Sequence, residues 1–205
     1  MTVALIFIAW SYTWFSREVP LHHFLVIPFA FVTLGMAIKY GDQVFDLNIG
    51  SKRMATILSV PIGGLMGLLI YLDEGSATIF IGLLLALLIA SKYDNLAFRL
   101  GFVVAGAVTI VTVLSGNPFH GIGAVVVMVA AFADEVLSDR GDRMGEGLLS
   151  SLLKERLVLK VTVLLLCATS VLSTYLYFIA FLGFDFGYSF VEQVSLSGGI
   201  GRRKL

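Results

Sequence analysis

Apolar residues in this chain run in long uncharged stretches, separated by short turns that hold charge, glycine or proline. A helix that crosses a bilayer takes about 20 mostly apolar residues, with a range of about 17 to 25. The pattern predicts helices at Thr2–Phe15, Leu21–Tyr40, Met54–Leu72, Ala77–Ser91, Phe98–Leu114, Gly121–Ala133 and Leu157–Leu182. The first is short and carries Trp10, Tyr12 and Trp14, as an interfacial aromatic belt does, so the expectation is six or seven spans. The fold class expected is all-α: a polytopic integral membrane bundle.

Local signals place the turns. Pro28 should kink the second segment, and the third carries Pro61. Gly63, Gly64 and Gly67 form a small-residue patch of the kind that lets helix backbones approach closely. Asp73-Glu74-Gly75 and Ser115-Gly116-Asn117-Pro118 read as tight turns. In residues 148–156 the leucines fall on one helical face beside Lys154, Glu155 and Arg156, which predicts a short interfacial helix. Residues 1–194 are therefore expected to be one transmembrane domain, and the Gly/Ser-rich residues 195–205 a flexible tail.

Composition agrees. Charged residues are 14% of the chain and hydrophobic ones 58%, against about 25% charged in soluble domains. The formal net charge is zero, and no nucleic-acid-binding motif is present. The single cysteine, Cys167, lies in an apolar run and is expected to pack there. Met1–Phe15 lacks a basic start and a small-residue cleavage site, so it does not read as a signal peptide.

Seven spans would put the turns after the second, fourth and sixth on one side together with the N-terminus. Lys39, Lys52, Arg53, Lys92, Arg99, Arg140, Arg143, Lys154, Arg156 and Lys160 collect there, which predicts the cytoplasmic side of the cell membrane, with the C-terminus outside. If the first segment does not cross, the N-terminus changes side and the motifs do not. A weak repeat fits the same scheme. Ala37–Asp42 (AIKYGD), Ala90–Asn95 (ASKYDN) and Phe132–Glu135 (FADE) end successive apolar runs, as three hairpins related by duplication would.

These ends hold the candidate chemistry. Asp42 and Asp46 stand four residues apart, which places both carboxylates on one helical face if the helix continues past Tyr40. Asp134 sits deepest in its apolar run, with Glu135, Asp139 and Asp142 after it, and Asp94 follows the fourth run. Ionisable groups at membrane depth mark functional sites by default. Asp134, Asp42, Asp46 and Asp94 are the expected catalytic carboxylates, and Asp42, Asp46, Asp134 and Asp139 the expected ligands of Mg²⁺. That ion favours one or two carboxylates plus substrate phosphates. Lys39, Lys92, Arg140 and Arg143 are the candidates for phosphate oxygens. Against this, solvated loops with local ion pairs, and lysines snorkelling to headgroups, account for such charges without any site. His22, His23 and His120 lie at the other face without metal-ligand spacing. Lys160 sits too near the start of its span for a retinal-type lysine.

The run Asp42–Asp46 (DQVFD) resembles the aspartate motifs of UbiA-type membrane prenyltransferases over those few residues. Gly41-Asp42 stands where that family has Asn-Asp, and the spans are too few for its fold, so no membership is assigned. The leading expectation is a Mg²⁺-dependent enzyme acting on a phosphorylated or isoprenoid lipid. A cation or proton-coupled transporter or channel, and a non-catalytic scaffold or subunit, are the alternatives. Membrane lipids are the expected partners, and nucleic acid is not.

Overall fold

The computed structural model describes residues 21–48, 50–91, 95–143 and 156–202, and the side chains of 21–22, 142–143 and 196–202 fall outside that description. The described residues form seven helices and no strand: α1 (Leu21–Asp46), α2 (Lys52–Leu72), α3 (Glu74–Ile89), α4 (Leu96–Leu114), α5 (Gly121–Arg143), α6 (Leu157–Ala168) and α7 (Leu176–Arg202). Thr2–Phe15 and most of the interfacial piece at 148–156 lie outside the described residues. Four helices are long and apolar enough to cross a membrane: His23–Asp46, Lys52–Leu72, Leu96–Leu114 and Gly121–Gly141.

Short polar caps set the helix ends. The Ser51 hydroxyl accepts the Met54 N–H at 3.3 Å to start α2, and the Asn95 side chain accepts the Phe98 N–H at 2.9 Å to start α4. Asp73 serves two helices. Its N–H closes α2 on the Leu69 carbonyl, and its carboxylate accepts the Ser76 N–H at 2.7 Å to open α3. That double use makes a one-residue connection possible.

Successive helices alternate in direction, so the bundle has a charged end (the α1–α2 and α3–α4 connections and the C-terminal part of α5) and an opposite end. Pairing is strongest between α1 and α7, α2 and α4, and α3 and α5. α1 and α7 run parallel: Gly183 and Gly187 pack on Val32, Gly35 on Phe184, and Lys39 on Tyr188. The contacts are close because these positions lack a Cβ. One built on Gly35 would overlap the Phe184 carbonyl, and one on Gly63 in α2 would overlap Gly101 in α4. Phe31 of α1 and Phe80 of α3 are fully buried, with ring centroids 4.5 Å apart at the centre of the core.

Two sequence expectations change. The run Leu157–Leu182 is two helices joined by a turn. Hydroxyls compete for its backbone: Thr169 Oγ1 donates to the Leu165 carbonyl at 2.8 Å, Thr174 Oγ1 accepts the Leu176 N–H at 3.2 Å, and Ser170 is left-handed at φ 58°. Because of that break α7 returns, so its C-terminal part lies at the charged end and not opposite the motifs. In the tail, residues 195–202 belong to α7.

Candidate functional site

α1 and α5 both extend beyond their apolar runs, to Asp46 and Arg143, and so carry their acidic residues into the charged end. There Asp42, Asp46, Asp134 and Asp139 line a single cavity of about 410 Å³, together with Glu135, Ser138, Arg156 and Tyr188. Its apolar wall includes Met66, Leu83, Leu84, Phe181 and Phe184. A second cavity, of about 530 Å³, is almost wholly apolar and lies between α1, α2 and α4, with Met36, Leu58, Ile62 and Phe102 in its walls. Ile38, Met66, Leu84, Leu87 and Phe98 line both, so the two cavities adjoin.

The individual groups are not equivalent. Asp134 is 4% exposed, and its carboxylate caps α6 from the neighbouring helix. Oδ1 accepts the Val158 N–H at 3.1 Å and Oδ2 the Leu159 N–H at 2.7 Å. Free N–H groups at a helix N-terminus favour such an anion. Asp42 pairs with Lys39 at 3.2 Å. Lys39 is itself buried, bonds Glu192 of α7 at 2.9 Å and lies over the Tyr188 ring, 4.6 Å from its centroid. This lysine, expected to bind phosphate, ties α1 to α7. Asp139 and Arg140 are both exposed, and Arg140 does not line the cavity. Lys92, Asp94 and the side chain of Arg143 lie outside the described residues.

Asp42, Asp46, Asp134 and Asp139 share a cavity. Among the described residues, no three of His, Cys, Asp and Glu group closely enough to hold an ion. One or two carboxylates are what Mg²⁺ takes from a protein when phosphates and water complete its shell. His120 belongs to the opposite end, where its backbone N–H donates to Thr78 Oγ1 at 2.9 Å.

Several contributors were not singled out in the sequence. Arg156 reads there as part of an interfacial piece. It in fact opens α6, lines the cavity and places its guanidinium carbon 4.3 Å from the Tyr188 ring centroid. Asp185 follows the run Leu157–Leu182 and would lie at the opposite face were that run a single span; it bonds Lys160 at 2.9 Å with both side chains largely buried. The correction follows from the α6–α7 turn, which brings residue 185 back alongside the start of α6. Asp185, Tyr188 and Glu192 stand at i, i+3 and i+7, a polar stripe on an apolar helix. That spacing was the available signal.

Comparison with protein-family models, with curated proteins and with solved structures gives no match.

Proposed function

We propose that this chain is a multi-pass membrane protein that binds an amphiphilic ligand at its charged end. The polar head would occupy the acidic cavity and the apolar tail the adjoining one. One observation carries this: a chamber lined by carboxylates and an arginine shares five wall residues with an apolar chamber of similar size. An apolar pocket with a few convergent polar groups is the usual form of a small-molecule site. A soluble polar substrate would leave the second chamber unused, and a plain hydrocarbon would leave the first. Four helices of spanning length and composition support placement in a membrane. Lys39, Lys52, Arg53, Arg99, Arg140, Arg156 and Lys160 all belong to the charged-end half, whereas the described residues of the opposite end carry neither lysine nor arginine. That asymmetry supports a cytoplasmic charged end.

A phosphorylated or isoprenoid lipid is the class we favour, with Mg²⁺ arriving on the phosphate and held by one or two of Asp42, Asp46, Asp134 and Asp139. Catalysis on that lipid would use the same carboxylates. The test is lipid identification by native mass spectrometry on protein purified in mild detergent, beside a Leu87→Trp variant that narrows the shared wall. A lipid with an ionisable head should accompany the parent and be depleted in the variant, with both proteins monodisperse. A parent that retains no amphiphile, and whose melting temperature responds to no added phospholipid or prenyl phosphate with Mg²⁺, would end the proposal.

A further inference from the structure

We propose that Arg156 is the group that receives the phosphate of the bound lipid, with Tyr188 as the platform that fixes it; this assignment rests on the amphiphile reading above and names its recognition chemistry. Arg156 lines the acidic cavity. Among the described residues, Lys39 is committed to Asp42 and Glu192, and Lys160 to Asp185, at 2.9–3.2 Å. Arg156 forms no salt bridge among the described residues. Its guanidinium lies against the Tyr188 ring instead. A cation–ring contact leaves the N–H donors of a guanidinium to be satisfied by something else. Five donors in a rigid fork match phosphate oxygens.

The backbone holds this arrangement in place. Arg156 is left-handed, at φ 50° and ψ 45°, a conformation that a residue with a Cβ seldom adopts. It persists where neighbours over-determine it. Here Asp134 grips the N–H groups of the two residues at 158 and 159, and Tyr188 takes the side chain. Asp42 and Asp134 have partners of their own within the protein, Lys39 and the start of α6. The cavity is lined by several carboxylates, and we expect the phosphate to enter with a divalent cation.

The experiment measures binding of a prenyl phosphate, the matching prenyl alcohol and inorganic phosphate, each with Mg²⁺, to the full chain in detergent. The parent should prefer the phosphate lipid to the alcohol by about 10-fold or more, the scale of charge-assisted hydrogen bonds. Arg156→Gln should abolish that preference and leave alcohol binding unchanged. Arg156→Lys should restore only part of it, because a point charge lacks the fork, and Tyr188→Leu should weaken it in the same direction. An Arg156→Gln protein that keeps the parent's preference would overturn the assignment. So would a parent that binds both lipids equally, whereas a parent that binds neither refutes the amphiphile reading itself. Inorganic phosphate bound as tightly as the lipid would overturn the lipid as its source. Should Arg156→Gln fail to fold, Arg156→Lys reads the same ratio with charge and stem retained.

Discussion

The Asp134 carboxylate lies 2.7 Å from the backbone nitrogen of Leu159, a residue on the next helix. A buried acid is thus matched to the free N–H groups at the start of α6, an arrangement that stabilises the charge and the helix together. Asp134→Asn keeps the shape but presents one carbonyl oxygen and one NH₂ to two donors. Loss of a hydrogen bond to a buried charged group costs about 1.5–3 kcal/mol. Asp134→Asn should therefore lower the melting temperature, and Asp134→Ala should lower it further. A rise in melting temperature for Asp134→Asn would show that the cap contributes nothing and that the charge is retained at a cost.

Lys160 and Asp185 form a second cross-link, between α6 and α7, with side chains only 14% and 13% exposed. Removing one partner leaves the other charged and poorly solvated, at about 3–5 kcal/mol, while replacing both with apolar groups is often neutral. Lys160→Met and Asp185→Leu should each destabilise the protein strongly, and the double variant should recover most of the loss. A double-mutant cycle by thermal or chemical denaturation reads the coupling. Additive losses would mean that the two groups act independently.

Three glycines differ in what faces them, and the sign of substitution should follow. A Cβ on Gly35 would overlap the Phe184 carbonyl and one on Gly63 the Gly101 carbonyl, both backbone atoms that cannot turn aside, whereas nothing lies within 4 Å of Gly64. Gly35→Ala and Gly63→Ala should cost about 1–3 kcal/mol by overpacking. Gly64→Ala should gain about 0.5–1 kcal/mol from helix propensity. Melting temperatures in one detergent check all three, and equal effects at Gly63 and Gly64 would contradict the close α2–α4 approach.

The sequence made α1 to α5 legible, because uncharged length and turns such as Asp73-Glu74-Gly75 and Ser115-Gly116-Asn117-Pro118 act locally. It also pointed to the convergence of Asp42, Asp46, Asp134 and Asp139, since helix ends on one side of a bundle must be neighbours. The limits were tertiary. α5 outruns its apolar stretch because Asp134 finds its partners on another helix, which spacing along one strand of sequence does not reveal. The run Leu157–Leu182 has one charge, Lys160, near its start, and is broken at a turn where Thr169 and Thr174 bond the backbone. Lys39 read as a phosphate ligand because Glu192 and Tyr188 are about 150 positions away in the chain. Arg156 was hidden for the same reason: its platform comes from α7.

The direction of α7 gives the sharpest test of the topology. With Leu157–Leu182 as a single span, residues near 193 would lie opposite Lys52. With the turn at 169–175 they lie on the same side, because Tyr188 and Glu192 contact Lys39 while Tyr177, at the start of α7, donates to Asp73 at 2.9 Å at the opposite end. Lys52, Gln193, Ser115 and Ser173 are all exposed and suit single-cysteine labelling in a Cys167→Ala background, where Cys167 itself is buried. In intact cells a membrane-impermeant maleimide should reach Cys at 115 and 173, and should reach 52 and 193 only after permeabilisation. That expectation rests on the proposed cytoplasmic placement of the basic charged end. If all four reactivities were reversed, the inside-outside assignment would fail but the fold would stand. If 193 instead labelled with 115 while 52 and 173 stayed protected, the α6–α7 turn would be wrong. The parallel α1–α7 pair, the Lys39–Glu192 bond and the Tyr188 platform under Arg156 would then fail with it.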